Sequence, residues 1–183
     1  MRHSRSPAMH AAALRELGLP WSYAALPVAP ALFAETVRAL PGSGYRGANV
    51  TIPHKRRALA LAASASPAAL AIGAANTLSF SSDGAILAEN TDAGGFLDAL
   101  ERPVAGLRCL VLGAGGAARA VAWALREDGA AEVAIWNRTP ERASALASAL
   151  ELAWVERPAG ALAHADLVVN TTAVGLDRAG SEH

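Results

Sequence analysis

The chain has 183 residues, 52% of them hydrophobic and 17% charged, and its 16 Lys and Arg are balanced by 16 Asp and Glu. That is ample apolar material for a packed core, far from a disordered composition, and long enough for one domain or two small ones. Zero net charge without a basic run argues against nucleic acid or an anionic membrane surface as the main partner.

Arg2, His3 and Arg5 are not followed by the apolar stretch of a secretory signal. Residues 58–82 carry no charge, but Pro67, Gly73, Asn76 and several Ser interrupt them and large aliphatics are few, so they do not read as a membrane span. The one cysteine, Cys109, has no partner in the chain and sits in an apolar run, where it reads as a small buried strand residue. A cytoplasmic location is the expectation.

In chain order, Ser6 and Pro7 start a helix that runs to about Gly18. Residues 21–28 read as a strand, and residues 30–40 as a helix stopped by Pro41 and Gly42. Residues 45–52 read as a second strand, and Pro53 opens another helix with Lys55 one turn inside it. Residues 75–80 and 85–89, separated by Ser81-Ser82-Asp83-Gly84, form a β-hairpin by the strength of Asp-Gly as a turn. That hairpin pairs position 76 with about position 89, which makes Asn76 and Asp92 neighbours in space. Asp92 precedes Ala93-Gly94-Gly95-Phe96, a helix start, so two readings stand: a helix cap, or a functional carboxylate beside Asn76. Asn76 itself reads equally as a turn residue.

The pattern changes near Pro103 and Gly106. From there strands at 107–112, 132–136, 152–155 and 166–170 alternate with helices at 117–127 and 140–150. Continuous apolar strands in this rhythm predict a parallel sheet covered on both faces. The expected fold class is therefore α/β, with a mixed first half (1–102) and a Rossmann-like, doubly wound second half (103–183).

Gly113-Ala114-Gly115-Gly116-Ala117-Ala118 follows a strand and opens a helix, the context in which glycines let a backbone approach a pyrophosphate. A tight turn without function is the plainer reading of such a segment. An NAD site would end the next strand in Asp or Glu; here it ends in Asn137-Arg138-Thr139, with Arg142 a turn later. Two guanidiniums in place of a carboxylate suit a 2′-phosphate, so the expected cofactor is NADP(H); the alternative is a pair of solvated helix-end cations.

All but one of the basic residues are Arg, and the exception is Lys55. Arg stays protonated at any working pH, whereas a Lys amine can give up and recover a proton. The single Lys is thus either a survivor of the Arg bias or an amine kept for proton transfer. Asn49 and Thr51 share one face of their strand. Ser4 and Ser6 stand before a helix, where hydroxyls cap the end or, with the free N–H groups, hold a carboxylate; for Ser6 alone capping is the simpler reading. His3, His10 and His54 lack a metal-ligand spacing, so no metal is expected.

Together the segments HSRSPAMH (3–10), NVTIPHK (49–55), GAANT (73–77), NTDAGG (90–95), GAGGAARA (113–120), NRTPER (137–142) and NTTAVG (170–175) resemble the shikimate dehydrogenase family, in family order along the full chain. The resemblance implies a substrate domain over 1–102, an NADP domain over 103–183, and NADPH-dependent reduction of 3-dehydroshikimate to shikimate on the route to chorismate and the aromatic amino acids. Carried over residue by residue, it implies that Ser4 and Ser6 bind the substrate carboxylate, with Thr51 nearby in the substrate site. It makes Lys55 the acid–base residue with Asp92 as its partner, and Asn76 a ligand of the ring hydroxyls. Gly113, Ala114, Gly115, Gly116 and Ala117 would cradle the pyrophosphate. Asn137, Arg138, Thr139 and Arg142 would face the adenosine phosphate, and Thr172 the nicotinamide side.

The pattern departs from the family in lacking a strand before residue 3 and everything after the strand at 166–170, so the chain resembles a family member shortened at both ends. Ala11 also stands where the family usually has Asn. An apolar strand left at the edge of the sheet favours self-association, with a homodimer as the simplest form. Two other functions are weighed against the first: a relative acting on quinate, and a non-catalytic NADP-binding module.

Overall fold

The computed structural model describes residues 4–174. His3 and Gly175, at the outer ends of two of the motifs, lie outside the described residues.

Two four-stranded sheets organise the chain. The first has strands β1 (Gly47–Asn49), β2 (Ser64–Ala65), β3 (Thr77–Phe80) and β4 (Ile86–Glu89) in the order β1-β3-β4-β2. β3 pairs antiparallel with β1 and β4, whereas β2 runs parallel to β4. Burial alternates along β3 and β4, so Leu78, Phe80, Ile86 and Ala88 point into a core completed by Phe33, Val37 and Leu40. The helices of this half are α1 (Ser6–Glu16), α2 (Phe33–Ala39), α3 (Lys55–Leu61) and α4 (Pro67–Ile72).

Helix α5 (Asp92–Leu100) leads into the second half, whose elements are β5 (Arg108–Leu112), α6 (Gly116–Glu127), β6 (Glu132–Trp136), α7 (Pro140–Ala149), β7 (Ala153–Trp154), α8 (Pro158–His164) and β8 (Leu167–Asn170). The strands are all parallel in the order β7-β6-β5-β8. β5 and β6 are apolar without alternation because helices cover both faces, and Val111, Leu125, Ile135 and Leu146 fill the core. This is the mixed α/β, Rossmann-like arrangement expected. A third cluster, Ile72, Ala74, Ala93, Ala120 and Ala124, joins the halves between α4, α5 and α6.

Several expected elements differ. Residues 21–28 form no strand. A strand exists through its ladder, and β1 pairs with β3 alone; the segment is held instead by the Tyr23 hydroxyl, which donates to Asn49 Oδ1 at 3.2 Å, and by Val28 O, which accepts from His54 Nε2 at 3.1 Å. The strand expected over 45–52 shortens to β1, since residues 51–54 form a turn closed by His54 N–H on Thr51 O at 2.9 Å. That turn delays the helix, so Lys55 is the first residue of α3 and not one turn inside it. Sequence reading missed α4, capped by the Ser66 hydroxyl on Ala69 N–H (3.2 Å) and stopped at left-handed Gly73, and also missed α8.

Candidate functional site: a lysine–aspartate pair facing a glycine turn

The register of β3 on β4 sets Thr77 opposite Glu89, so Asn76 falls beside Asn90, one position beyond the pairing expected. Asp92 therefore lies close to Asn76, and Lys55 closes on them from α3. Lys55 Nζ donates to Asp92 Oδ2 at 2.5 Å, and Asn76 Nδ2 donates to Asp92 Oδ1 at 2.8 Å, so both carboxylate oxygens are engaged. The Lys55 side chain is only 11% exposed and that of Asp92 29%, so the pair is partly removed from water. An ion pair in that setting is directional, and removing one partner leaves the other charge poorly solvated. Of the two readings for Asp92, capping is not the one adopted: Thr91 holds the N-cap position, and the carboxylate reaches across to Lys55. Its place in the first turn of α5 still favours a negative charge there.

The backbone around the pair is braced. Ala75 N–H donates to Lys55 O at 2.9 Å. Buried Asn90 donates to Ala74 O (2.9 Å) and accepts from Asp92 N–H (3.0 Å). Asn76 Oδ1 accepts from Thr91 N–H at 2.9 Å. Sequence reasoning gave Asn90 and Thr91 no role of their own, although they flank Asp92 in the same motif.

Ser4, Ser6 and Thr51 line a groove with Tyr23, Asn49 and His54, whereas Lys55, Asn76 and Asp92 are not in its wall. Ser4, not Ser6, serves the end of α1: its Oγ accepts from Ser6 N–H at 3.3 Å, while Ser6 O accepts from His10 Nδ1 at 2.9 Å. The groove and the ion pair are linked by side chains. Asn49 Nδ2 donates to Thr77 Oγ1 (3.4 Å), and Thr77 Oγ1 donates to Asn76 Oδ1 (3.0 Å). Tyr23 and Thr77 were missed; nothing in the local pattern marks Tyr23, while Thr77 closes the GAANT segment.

In the second half, Gly113, Ala114, Gly115, Gly116 and Ala117 leave the C-terminal end of β5 for α6. Gly113 has φ +121, and a side chain there would run into the Thr171 hydroxyl. A Cβ on Gly115 would meet nothing within 4 Å, so the turn is open on its outer side. The N–H groups of Gly116, Ala117 and Ala118 have no partner among the described backbone bonds, as expected of a helix start. Asn137 Nδ2 donates to Thr139 O at 3.0 Å at the end of β6, and Arg138, Thr139 and Arg142 are exposed. Neither arginine forms an ion pair among the described residues. Thr172 Oγ1 donates to Asn170 Oδ1 at 2.7 Å just past β8. All these residues lie along the C-terminal edge of the parallel sheet, where β5 has neighbours on opposite sides, the switch point at which sheets of this kind hold their ligands. Open amide donors with two free guanidiniums and no carboxylate at the end of β6 fit a phosphorylated dinucleotide. Burial pushes the Cys109 thiol above its ordinary pKa, which suits an inert core residue.

The halves meet at the chemistry. A Cβ on Gly116 would lie 2.9 Å from Lys55 Cδ and 3.2 Å from Lys55 Cβ, so the lysine stem rests on the glycine turn. This is a two-sheet α/β protein whose Rossmann-like half docks, through its glycine turn, on a lysine–aspartate pair carried by the other half.

Residues 1–78 match the family described as shikimate dehydrogenase substrate binding domain, and residues 98–177 match shikimate / quinate 5-dehydrogenase. A shikimate dehydrogenase (NADP(+)) of Methylobacterium radiotolerans is 50% identical over 95% of this chain and 66% of its own length. Shikimate dehydrogenase from Aquifex aeolicus superposes with a TM-score of 0.91 at 38% identity, over 99% of this chain and 68% of that one. The Thermus thermophilus shikimate 5-dehydrogenase, solved in complex with NADP(H) and shikimate, gives a TM-score of 0.86 at 47% identity, over 96% and 66%. The chain belongs to the shikimate dehydrogenase family and spans about two thirds of the length of these relatives.

Proposed function

We propose that this chain carries out the reversible, NADPH-dependent reduction of 3-dehydroshikimate to shikimate, on the route to chorismate and the aromatic amino acids. Residues 1–102 would form the substrate domain and 103–183 the NADP domain. The observation that carries the reading is the Lys55–Asp92 contact of 2.5 Å, with Asn76 on the other Asp92 oxygen and Gly116 of the nucleotide-type turn against the lysine stem. A pure binding module has no use for a proton donor at that place.

When bound, NADPH supplies hydride to the ketone carbon. Lys55, held in line by Asp92, stabilises the negative charge growing on the ketone oxygen and delivers a proton to it; in the oxidation direction the neutral amine removes that proton. Asn76 keeps the second Asp92 oxygen occupied and presents its amide beside the pair, where ring hydroxyls would bind. Ser4, Ser6 and Thr51 offer neutral donors to a carboxylate without a competing charge. Gly113, Ala114, Gly115, Gly116 and Ala117 would hold the pyrophosphate, Asn137, Arg138, Thr139 and Arg142 the adenosine 2′-phosphate, and Thr172 would stand on the nicotinamide side.

Lys55→Arg is the decisive substitution, since guanidinium keeps the charge but holds its proton. Turnover of shikimate with NADP, followed by absorbance of the reduced nicotinamide, should fall by about 10²- to 10⁴-fold, while NADP affinity stays near that of the wild type. Unchanged turnover removes Lys55 from the chemical step; NADP binding without any wild-type turnover favours the non-catalytic module. Quinate is the second reading, because the family matched by residues 98–177 is described for both acids; the same assay run with quinate decides it. Single Cys109 fits a cytoplasmic setting. Among the described residues β8 pairs with β5 alone; its other edge would pair with a second copy, and light scattering tests that homodimer.

A further inference from the structure

Arg119 lies one turn along α6 from Gly116, on the side that faces the first half. Its Nη1 donates to Ile72 O at 3.0 Å, so it grips the C-terminal carbonyl of α4. The side chain is about half buried and has no carboxylate partner among the described residues. Burial lowers its pKa, and the nearby Arg56 charge lowers it further, so this cation is held against electrostatic cost by a helix end. The position opposite is also specialised. Gly73 has φ +71, a conformation strained for other residues, and a Cβ there would lie 2.9 Å from Arg119 Nη1 and push the guanidinium aside.

The connection runs on to the reacting amine. Ile72 O is held by Arg119, Ala74 O by Asn90, Ala75 N–H is bonded to Lys55 O, and Asn76 is bonded to Asp92. Four of the five residues 72–76 thus bond in turn to Arg119, Asn90, Lys55 and Asp92. On the other side, Gly116 presses on the Lys55 stem. Arg119 and Gly116, three residues apart on one face of α6, close a ring through α4, the 72–76 loop and Lys55.

We propose that Arg119 is a positioning residue: its grip on Ile72 O keeps the glycine turn of α6 seated on the Lys55 stem, and so couples the nucleotide-binding half to the aim of the amine at Asp92. This rests on the reading of Lys55 as the acid–base group. The alternative is that Arg119 only adds stability to the seam.

Lys55 is the one lysine in the chain, so an amine-reactive acetylating reagent labels two amines, Lys55 and the N-terminus, and mass spectrometry separates them. The N-terminal amine serves as internal reference. Loss of a charged hydrogen bond of about 1.5 kcal/mol predicts that Arg119→Gln raises the relative labelling rate of Lys55 by about tenfold. Arg119→Lys, which keeps a cationic donor, should restore a rate near the wild-type one, its added lysine being resolved as a separate peptide. Gly73→Ala attacks the same grip from the other side and should act like Arg119→Gln. Leu146→Ala, deep in the second core, is the control for lost stability alone and should leave the ratio unchanged at a temperature where every variant is folded. The proposal is overturned if Arg119→Gln and Gly73→Ala fold with wild-type labelling, or if Leu146→Ala raises labelling as much as they do. Should either substitution at the grip prevent folding, the other decides. A separate outcome concerns the function: if NADP with shikimate does not protect wild-type Lys55 from label, the acid–base reading fails, whatever Arg119 does.

Discussion

At the scale of single residues, charge decides what the site accepts. Arg138 and Arg142 stand exposed beside the end of β6 and form no ion pair among the described residues. A guanidinium there rewards a phosphate and a carboxylate repels it. Arg138→Asp should weaken NADP binding by at least about tenfold, the effect of roughly 1.5 kcal/mol for one charged hydrogen bond, with little loss for NAD; equal loss for both cofactors in a fluorescence titration would show that Arg138 serves the fold. Much of this level was legible beforehand. The lone Lys55, the Asn137-Arg138-Thr139 ending and the glycine turn are all local in sequence. Tyr23 and Arg119 were not, because their partners, Asn49 and Ile72, come from elements that only folding brings near.

At the scale of elements, β8 is fastened to β5 by a charged clasp. Asp166 Oδ2 accepts from Arg108 N–H at 2.9 Å and from Arg108 Nε at 3.2 Å, and Oδ1 accepts from Arg108 Nη2 at 3.2 Å. The Arg108 side-chain bond, followed by the backbone bond from the same residue, holds the Asp166 carboxyl below the usual carboxylate pKa. A carboxylate depressed in the folded state stabilises the fold above its unfolded pKa and loses that contribution as pH falls through the lower folded value. Wild-type stability should therefore drop across the acid range below about pH 4, and Asp166→Asn should flatten that slope by slightly lowering the neutral-pH value while leaving the value at the acid end near that of the wild type. Urea midpoints across that range check it; parallel slopes would mean that the clasp is silent, as many exposed pairs are. The strands that were read well, β5, β6 and β8, are continuous apolar runs, and in β5 and β6 the burial on both faces is written in composition, whereas β8 alternates between half-buried and exposed. Residues 21–28 look equally strand-like, yet a strand depends on a neighbour that no local pattern supplies. Short α4 was missed for the opposite reason: six residues carry too little periodicity, even with Ser66, Pro67 and Gly73 marking its ends.

At the scale of the molecule, the seam between the sheets is built of small side chains. Ala74, Ala93, Ala120 and Ala124 pack with Ile72, all at 3% exposure or less, and this lets α4, α5 and α6 approach closely enough for Lys55 to reach Gly116 and for Arg119 to reach Ile72. Extra volume there must wedge the helices apart. Ala120→Leu should cost about 1–3 kcal/mol and lower the melting temperature, with a matching loss of NADP-linked turnover. Leu at exposed Ala149 should leave both unchanged. A melting temperature unmoved by Ala120→Leu would mean that the seam is loose enough to absorb it.

The amino-acid order alone determined the α/β class, the site of the glycine turn and the singularity of Lys55 among the basic residues, because each depends on short-range periodicity, turn chemistry or residue type. The tertiary structure decided which carboxylate meets Lys55, that Asp92 bridges instead of caps, and that the lysine stem rests on Gly116. Those outcomes depend on a one-residue strand register and on the close approach of alanine-lined helices, both set by packing between segments far apart in the chain.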